Sequence, residues 1–196
     1  MMDRELELRL VGGLRDGDTA AFDAVYEAFH ARLFNFLARM ANSRDVAEDL
    51  VEEVWVRVVE HGCRLQPDTR LAPWLFTIAR NLHASYCRSR LVEDAHAPGL
   101  LGLWPGGTPR RSPLEAVEAT EARRHLALAL AALPAASREA LLLVGIEDMS
   151  PTEAAAVCGV TPEAMRQRLH RARAQLSERL ADTGLPGLAS LREATT

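Results

Sequence analysis

"SPTEAAAVCGVTPEAMRQRLHRARAQL", Ser150 to Leu176, uses the same helix-opening grammar twice. Ser150, Pro151 and Glu153 make a capping box: the serine hydroxyl accepts from the first-turn backbone, proline suits the first helical position, and the glutamate reaches back to the serine amide. Cys158-Gly159-Val160 breaks the helix so opened, and Thr161-Pro162 opens the next. Two helices joined by a turn of about three or four residues containing glycine are the signature of a DNA-binding helix-turn-helix. Small Ala155 where the helices approach and apolar Val160 and Met165 around the turn fit that unit. Cys158 falls on its buried side, as a small core hydrophobe.

In the second of these helices Met165, Leu169, Ala172 and Leu176 recur at i, i+4, i+7 and i+11, which fixes a core stripe. Arg166, Gln167, His170, Arg171 and Arg173 then point elsewhere and can meet DNA. Arginine offers a planar donor fork suited to phosphate oxygens or the guanine edge, and Gln167 suits the adenine edge. Thr161, Glu163, Ala164, Arg166 and Gln167, near the helix N-terminus, are placed to reach bases; Arg168, Arg171 and Arg173 are expected on the phosphate backbone.

That much positive charge sits in a chain of net charge −4, with 196 residues, 48% hydrophobic and 26% charged, the size of one or two small globular domains. All 23 basic residues are arginine, a preference that coding bias in a GC-rich genome or phosphate binding would each produce. Cys63, Cys87 and Cys158 are an odd, irregularly spaced set, which argues against a disulfide framework and for a reducing cytoplasm. The start, "MMDRELELRL", is charged throughout, unlike a signal peptide, and no apolar run is long enough to span a membrane.

The negative charge is concentrated upstream. "DTAAFDAVYEAFHARLFNFLARM", from Asp18, carries an apolar stripe of Phe22, Val25, Tyr26, Phe29, Leu33, Phe36, Leu37 and Met40. "RDVAEDLVEEVWVRVVEH" follows, with Ser43 as N-cap and Asp45 in the first turn. Val46, Ala47, Leu50, Val51, Val54, Val58 and Val59 are expected on its inner side, with Asp45, Glu48, Asp49, Glu52, Glu53 and Glu60 opposite, a pattern that an ordinary solvated face also produces. The loop "GCRLQPDTRLAP" leads to "WLFTIARNLHASYCRSRL", helical through Trp74, Leu75, Ile78, Leu82 and Tyr86, with Arg80, Asn81, His83, Ser85, Arg88 and Arg90 expected outside. No acidic residue occurs from Leu71 to Leu91.

Residues 92–112 are rich in Gly and Pro and read as a linker, although Leu100, Leu101, Leu103 and Trp104 make it less polar than a free one. Ser112, Pro113 and Glu115 form another capping box, opening a helix to about Leu133. Pro134 interrupts it, and a shorter helix capped by Ser137 follows.

Two separated segments now resemble one family. The stretch from "AFDAVYEAF" through "DVAEDLVEEVW" and "WLFTIARNLHASYCRSR" is similar to region 2, and "LPAASREALLLVGIEDMSPTEAAAVCGVTPEAMRQRLHRARAQL" to region 4, of the extracytoplasmic-function (ECF) sigma factors of bacterial RNA polymerase. The order is right, and the resemblance covers roughly Asp18 to Leu180. It implies an all-α chain of two small helical domains joined by a flexible linker: region 2 over 1–91, the linker over 92–112, region 4 over 113–183 and a tail over 184–196.

It also implies roles. The acidic helix, through Asp45, Glu48, Asp49, Glu52 and Glu53, would dock on the basic clamp helices of the polymerase β′ subunit, and region 4 on the β subunit. The loop from Cys63 to Pro73 and the helix after it would open the −10 element and capture a flipped base, extraction costing a few kcal/mol of stacking. Arg64, Gln66, Asp68, Arg80, Asn81 and His83 are the candidates for that work, with Arg88 and Arg90 on phosphates; Trp74 and Phe76 are expected in the core. The helix-turn-helix residues Thr161, Glu163, Ala164, Arg166, Gln167, Arg168, His170, Arg171 and Arg173 would read the −35 duplex. Leu65 stands where many relatives carry Phe, Pro73 precedes the tryptophan, and Glu163-Ala164 replaces a common Gly-Thr.

Members of this family are commonly held by an anti-sigma factor, which the resemblance makes an expected partner. The tail is too short for an added sensor domain. His83 and Cys87 are four apart on a helix, but no second pair completes a structural metal site, so no metal or cofactor is expected. No phosphate loop, paired-carboxylate site or nucleophile motif suggests an enzyme. The alternative is a stand-alone helix-turn-helix regulator with an N-terminal helical interaction domain, which would bind operator duplex without polymerase. Either protein would work in the cytoplasm, the sigma factor at the nucleoid when bound to polymerase.

Overall fold

The computed structural model describes the backbone of residues 2–96 and 121–181, with side chains over 2–91 and 124–181. Among the described residues there are eight α-helices and no strand. They are α1 (Arg4–Asp16), α2 (Thr19–Ala41), α3 (Arg44–His61), α4 (Leu71–His96), α5 (Glu121–Ala131), α6 (Ala135–Gly145), α7 (Pro151–Cys158) and α8 (Pro162–Ala181). The chain divides into two compact units, Met1–Thr108 and Pro109–Thr196. The capping box expected at Ser112, Pro113 and Glu115, and the apolar Leu100, Leu101, Leu103 and Trp104, lie outside the described residues.

In the first unit α2 packs against α1, α3 and α4. The Asp18 carboxylate caps α2 by accepting from Ala20 N at 2.9 Å, and Val25, Phe29, Leu33, Phe36 and Leu37 fill the core. Helix α1 was not anticipated. Its buried set Glu7, Leu10, Val11 and Leu14 follows i, i+3, i+4 and i+7, a stripe masked in the sequence by the charge of Glu7 within it, by Leu6 and Leu8 outside it and by the Gly12-Gly13 pair. Gly13 has a packing reason: a Cβ there would run into the Ala21 side chain, so glycine lets α1 cross α2 closely.

Ser43 caps α3, its hydroxyl accepting from Val46 N at 3.4 Å. Ala47, Val51, Val54, Trp55 and Val58 face inward. Val59, expected among them, is 69% exposed, because the buried arc is centred on Val51 and Val58 and Val59, 100° on from Val58, lies beyond the edge that Trp55 marks.

Helix α4 begins at Leu71, ahead of Trp74, with Pro73 in the first turn where no amide hydrogen is needed. Its inner face is Leu71, Leu75, Phe76, Ala79 and His83. Trp74, Ile78, Leu82 and Tyr86 are half-buried on the adjacent arc. The helix continues to His96, taking up the first residues of the stretch expected as linker.

In the second unit α8 packs against α5, α6 and α7. Helix α6 starts directly after Pro134, so Ser137 sits buried in its first turn, donating to Gln175 Oε1 at 3.1 Å, rather than acting as the cap. Arg138, beside it, is buried and closes the end of α5. Its Nε donates to Leu130 O at 3.0 Å and its Nη2 to Leu133 O at 3.2 Å and to Ala131 O. Burial holds its pKa below the ordinary guanidinium value.

Candidate nucleic-acid interface

The helix-turn-helix is α7, a turn and α8. Both halves of the capping box are made: Ser150 Oγ accepts from Glu153 N at 3.2 Å, and Glu153 Oε2 from Ser150 N at 3.0 Å. Gly159 ends α7 with φ 64°, a left-handed conformation that costs a residue with a Cβ about 1–2 kcal/mol. Thr161 Oγ1 then accepts from Ala164 N at 3.1 Å and opens α8. Ala154, Ala155, Cys158, Met165, Leu169 and Ala172 are buried in this unit. That packing fixes which side of α8 faces out.

Arg166, Gln167, His170, Arg171 and Arg173 are exposed, as expected, and Glu163 lies among them. Its Oε2 accepts from Arg166 Nη2 at 2.6 Å and Nε at 3.2 Å, and its Oε1 from Gln167 Nε2 at 3.4 Å. The Arg166 hydrogen bond, then its charge, then the Gln167 bond hold the Glu163 carboxyl below the ordinary glutamate range. Thr161 is exposed but spends its hydroxyl on the cap, and Ala164 is half-buried. Arg168 departs from expectation. It turns inward along the edge of the Met165–Leu169–Ala172 stripe, and its Nη1 lies 3.8 Å from Oε2 of buried Glu139 on α6.

In the first unit, Gly62–Arg64 form one turn of 3-10 helix after α3. Arg64 is exposed, whereas Leu65 is only 7% exposed and pins the loop to the core. Gln66, Pro67 and Asp68 are exposed on a turn closed by Thr69 N donating to Gln66 O at 3.1 Å, with proline in the position it favours. Farther on, Arg80 Nη1 donates to Asn81 Oδ1 at 3.3 Å and Arg88 Nη2 to Ser85 Oγ at 2.9 Å. Arg88 and Arg90 are exposed and Arg80 half-buried. His83, expected outside, is 8% exposed, with Nε2 3.6 Å from Cys87 Sγ. The face of α4 that packs on the bundle includes position 83, because it lies one turn beyond Ala79.

The acidic face of α3 exposes Asp45, Glu48, Asp49 and Glu52, with Glu53 half-buried. Glu48 pairs with Arg44 at 2.9 Å and Glu53 with Arg57 at 2.8 Å. Next to this face a groove of about 790 Å³ runs between α2 and α3, lined by Phe22, Tyr26, His30 and Trp55 with Glu48 and Glu52 at its edge. The Tyr26 and His30 rings stack with centroids 4.6 Å apart, and Trp55 Nε1 donates to His30 Nδ1 at 3.1 Å. Phe22 and Tyr26, expected in the core stripe, thus line this groove instead. The sequence signal was there: Phe22, Tyr26 and His30 form a second i, i+4, i+8 row beside Val25, Phe29 and Leu33.

Among the described residues no group of three or more His, Cys, Asp or Glu could hold a metal ion, and the three cysteines are free. Nor is any described helix long and apolar enough to cross a membrane.

Comparison with known proteins bears on both units. Residues 25–91 match the Sigma-70 region 2 family and residues 123–176 the Sigma-70, region 4 family. The chain is 34% identical to RNA polymerase sigma factor CarQ of Myxococcus xanthus, over 87% of this chain and 95% of the relative. It is 38% identical to the ECF RNA polymerase sigma factor EcfG of Rhodopseudomonas palustris, over 72% of this chain and 75% of that one. Among solved structures, CnrH in complex with the cytosolic domain of CnrY superposes with a TM-score of 0.69 at 25% identity, covering 90% of this chain and 98% of CnrH. The sigma factor RpoE of Bartonella quintana, in complex with the anti-sigma factor NepR, gives the same TM-score of 0.69 at 28% identity, over 82% and 96% of the two chains. The chain thus belongs to the extracytoplasmic-function family of RNA polymerase sigma factors, the initiation factors that direct polymerase to promoters.

Proposed function

We propose that the two units divide promoter recognition between them, region 2 over 1–91 and region 4 over 113–183, with 92–112 as the connection and 184–196 as a tail. Asp45, Glu48, Asp49, Glu52 and Glu53 of α3 form the docking face for the basic clamp helices of the polymerase β′ subunit, and opposite charge steers that encounter. Gln66 and Asp68 on the loop, with Arg64, Arg80 and Asn81, engage melted −10 DNA, while Arg88 and Arg90 hold its phosphates. On α8, Arg166 and Gln167 read −35 base edges, with Glu163 as their neighbour, and His170, Arg171 and Arg173 hold the duplex backbone.

The observation that carries this reading is the separation of charge by element: exposed carboxylates gather on α3, and exposed arginines on the outward side of α8. His83 has no direct part in it, being buried, and Arg168 acts through Glu139 on the seating of α8. The protein itself performs no catalytic step. It works in the cytoplasm, on the nucleoid when bound to polymerase, and its likeness to an RpoE solved with an anti-sigma factor supports an anti-sigma partner for this chain.

The test is run-off transcription with core polymerase on a genomic fragment library. Promoter-specific transcripts that need both core enzyme and this protein are the expected result. Replacing Arg166 and Gln167 by Ala should weaken −35 recognition by about 1–3 kcal/mol for each base pairing removed. Tight operator binding without polymerase, and no effect on transcription with it, would refute the assignment.

A further inference from the structure

The loop assigned to −10 DNA is held from outside by α1, through one carboxylate. Glu7, whose side chain is 7% exposed, accepts three hydrogen bonds or ion pairs. Its Oε1 takes the amide hydrogen of Leu71 at 2.8 Å, at the start of α4. Its Oε2 takes Arg4 Nη1 at 2.7 Å and Arg70 Nε at 3.0 Å. Arg4 in turn donates from Nη2 to Asp68 O at 2.8 Å and from Nη1 to Thr69 O at 3.4 Å.

Only the first of these bonds serves α4 as a cap, where a carboxylate meets an unpaired amide and the positive end of the helix dipole. The bonds through Arg4 do nothing for that helix. They hold the carbonyls of Asp68 and Thr69, on the descending side of the turn whose exposed apex is Gln66, Pro67 and Asp68. The ascending side is held by buried Leu65. A short loop tied at both ends presents its apex in one orientation, and a reader fixed before binding loses less entropy when it engages a strand.

We propose that Glu7 is a positioning residue for −10 recognition: through Arg4 and Arg70 it sets the orientation in which Gln66 and Asp68 meet the displaced strand. The proposal rests on the reading of this loop as the −10 reader. Glu7→Gln is the informative variant, because the amide keeps an acceptor for Leu71 N while losing the charge that holds both arginines. Arg4, more exposed than Glu7, provides a second variant, Arg4→Ala, that leaves the cap in place.

The experiment uses the full chain with core polymerase and measures the ratio of transcription from a cognate promoter to that from −10-substituted promoters. Duplex binding to the −35 element, core capture and a thermal melt are followed in parallel. The ratio should fall about tenfold in both variants, the size of a single base-specific interaction, with −35 duplex binding and core capture unchanged, the melt lowered but the chain folded at the assay temperature, and no further loss of the ratio in the Glu7→Gln, Arg4→Ala double variant. An unchanged ratio, or one that falls only in step with core capture and the folded fraction at the assay temperature, overturns the proposal. Gln66→Ala and Asp68→Ala separate the two levels. If they leave the ratio unchanged, the loop is not the reader and the proposal falls with it. If they lower the ratio and the Glu7 and Arg4 variants do not, the loop reading stands and the positioning role is wrong.

Discussion

Glu163 Oε2 lies 2.6 Å from Arg166 Nη2, so the acidic side chain in the first turn of the recognition helix grips one of the two residues assigned to base reading, and its other oxygen reaches the second, Gln167. On that assignment Arg166 would exchange this partner for DNA. Glu163→Gln should therefore tighten binding to −35 duplexes while flattening the differences among base substitutions. Fluorescence anisotropy over a panel of duplexes at two salt concentrations checks this; weaker binding would mean that the glutamate itself contacts a base.

The same pair responds to pH. Because the Glu163 carboxyl is depressed by Arg166, its pairing is fully present above the ordinary glutamate pKa and lost as pH falls through the depressed one. An NMR titration of the Glu163 side-chain carboxyl should give a midpoint below the ordinary glutamate value. In Arg166→Ala the midpoint should return toward it.

Asp49 and Glu52 are the exposed carboxylates at the middle of the α3 face, and neither takes part in an ion pair among the described residues. Reversing both to Arg should weaken capture of core polymerase, most strongly at low salt where screening is least. Their exposure predicts an unchanged melt. A folded variant captured as well as the parent would place the docking face elsewhere.

Gly12 and Gly13 are neighbours with opposite prospects. A Cβ at Gly12 meets nothing within 4 Å, so Gly12→Ala should stabilise α1 by up to about 1 kcal/mol. Gly13→Ala forces α1 away from Ala21 and should cost about 1–3 kcal/mol. Paired thermal melts give the signs directly, and Ala21→Gly in the second variant should recover most of the loss.

Arg138 satisfies carbonyls at the end of α5 from a buried position. Arg138→Met keeps much of the apolar stem and leaves those acceptors unpaired, at about 1–3 kcal/mol for each one that water cannot reach. The melt of the full chain should lose stability by at least that much, with the α1–α4 bundle unaffected by hydrogen exchange.

The capping box at Ser150, the caps at Ser43 and Thr161 and the break at Gly159 were legible because each signal is complete within a few residues. The outward face of α8 followed from its stripe for the same reason. His83, expected on the outer face, is buried, and Arg168 is half-buried, since helical periodicity says which residues share a face but not how wide the buried arc is. His83 is covered by the bundle, and Arg168 sits at an edge where Glu139 of another helix captures it. Helix α1 and the role of Glu7 could not be read locally at all. The donors that explain a buried glutamate are at Leu71 and Arg70, and nothing in "RELELRL" refers to them.

That hydrogen bond from Leu71 to Glu7 spans 64 residues, from the first helix of the unit to the start of its last. Closing it carries the entropy of the whole intervening chain, so it forms after α2 and α3 have brought the two ends together. During synthesis Glu7 leaves the ribosome well before the segment it will hold. On this argument the loop assigned to −10 DNA takes its shape late in folding, once the helices beneath it are in place.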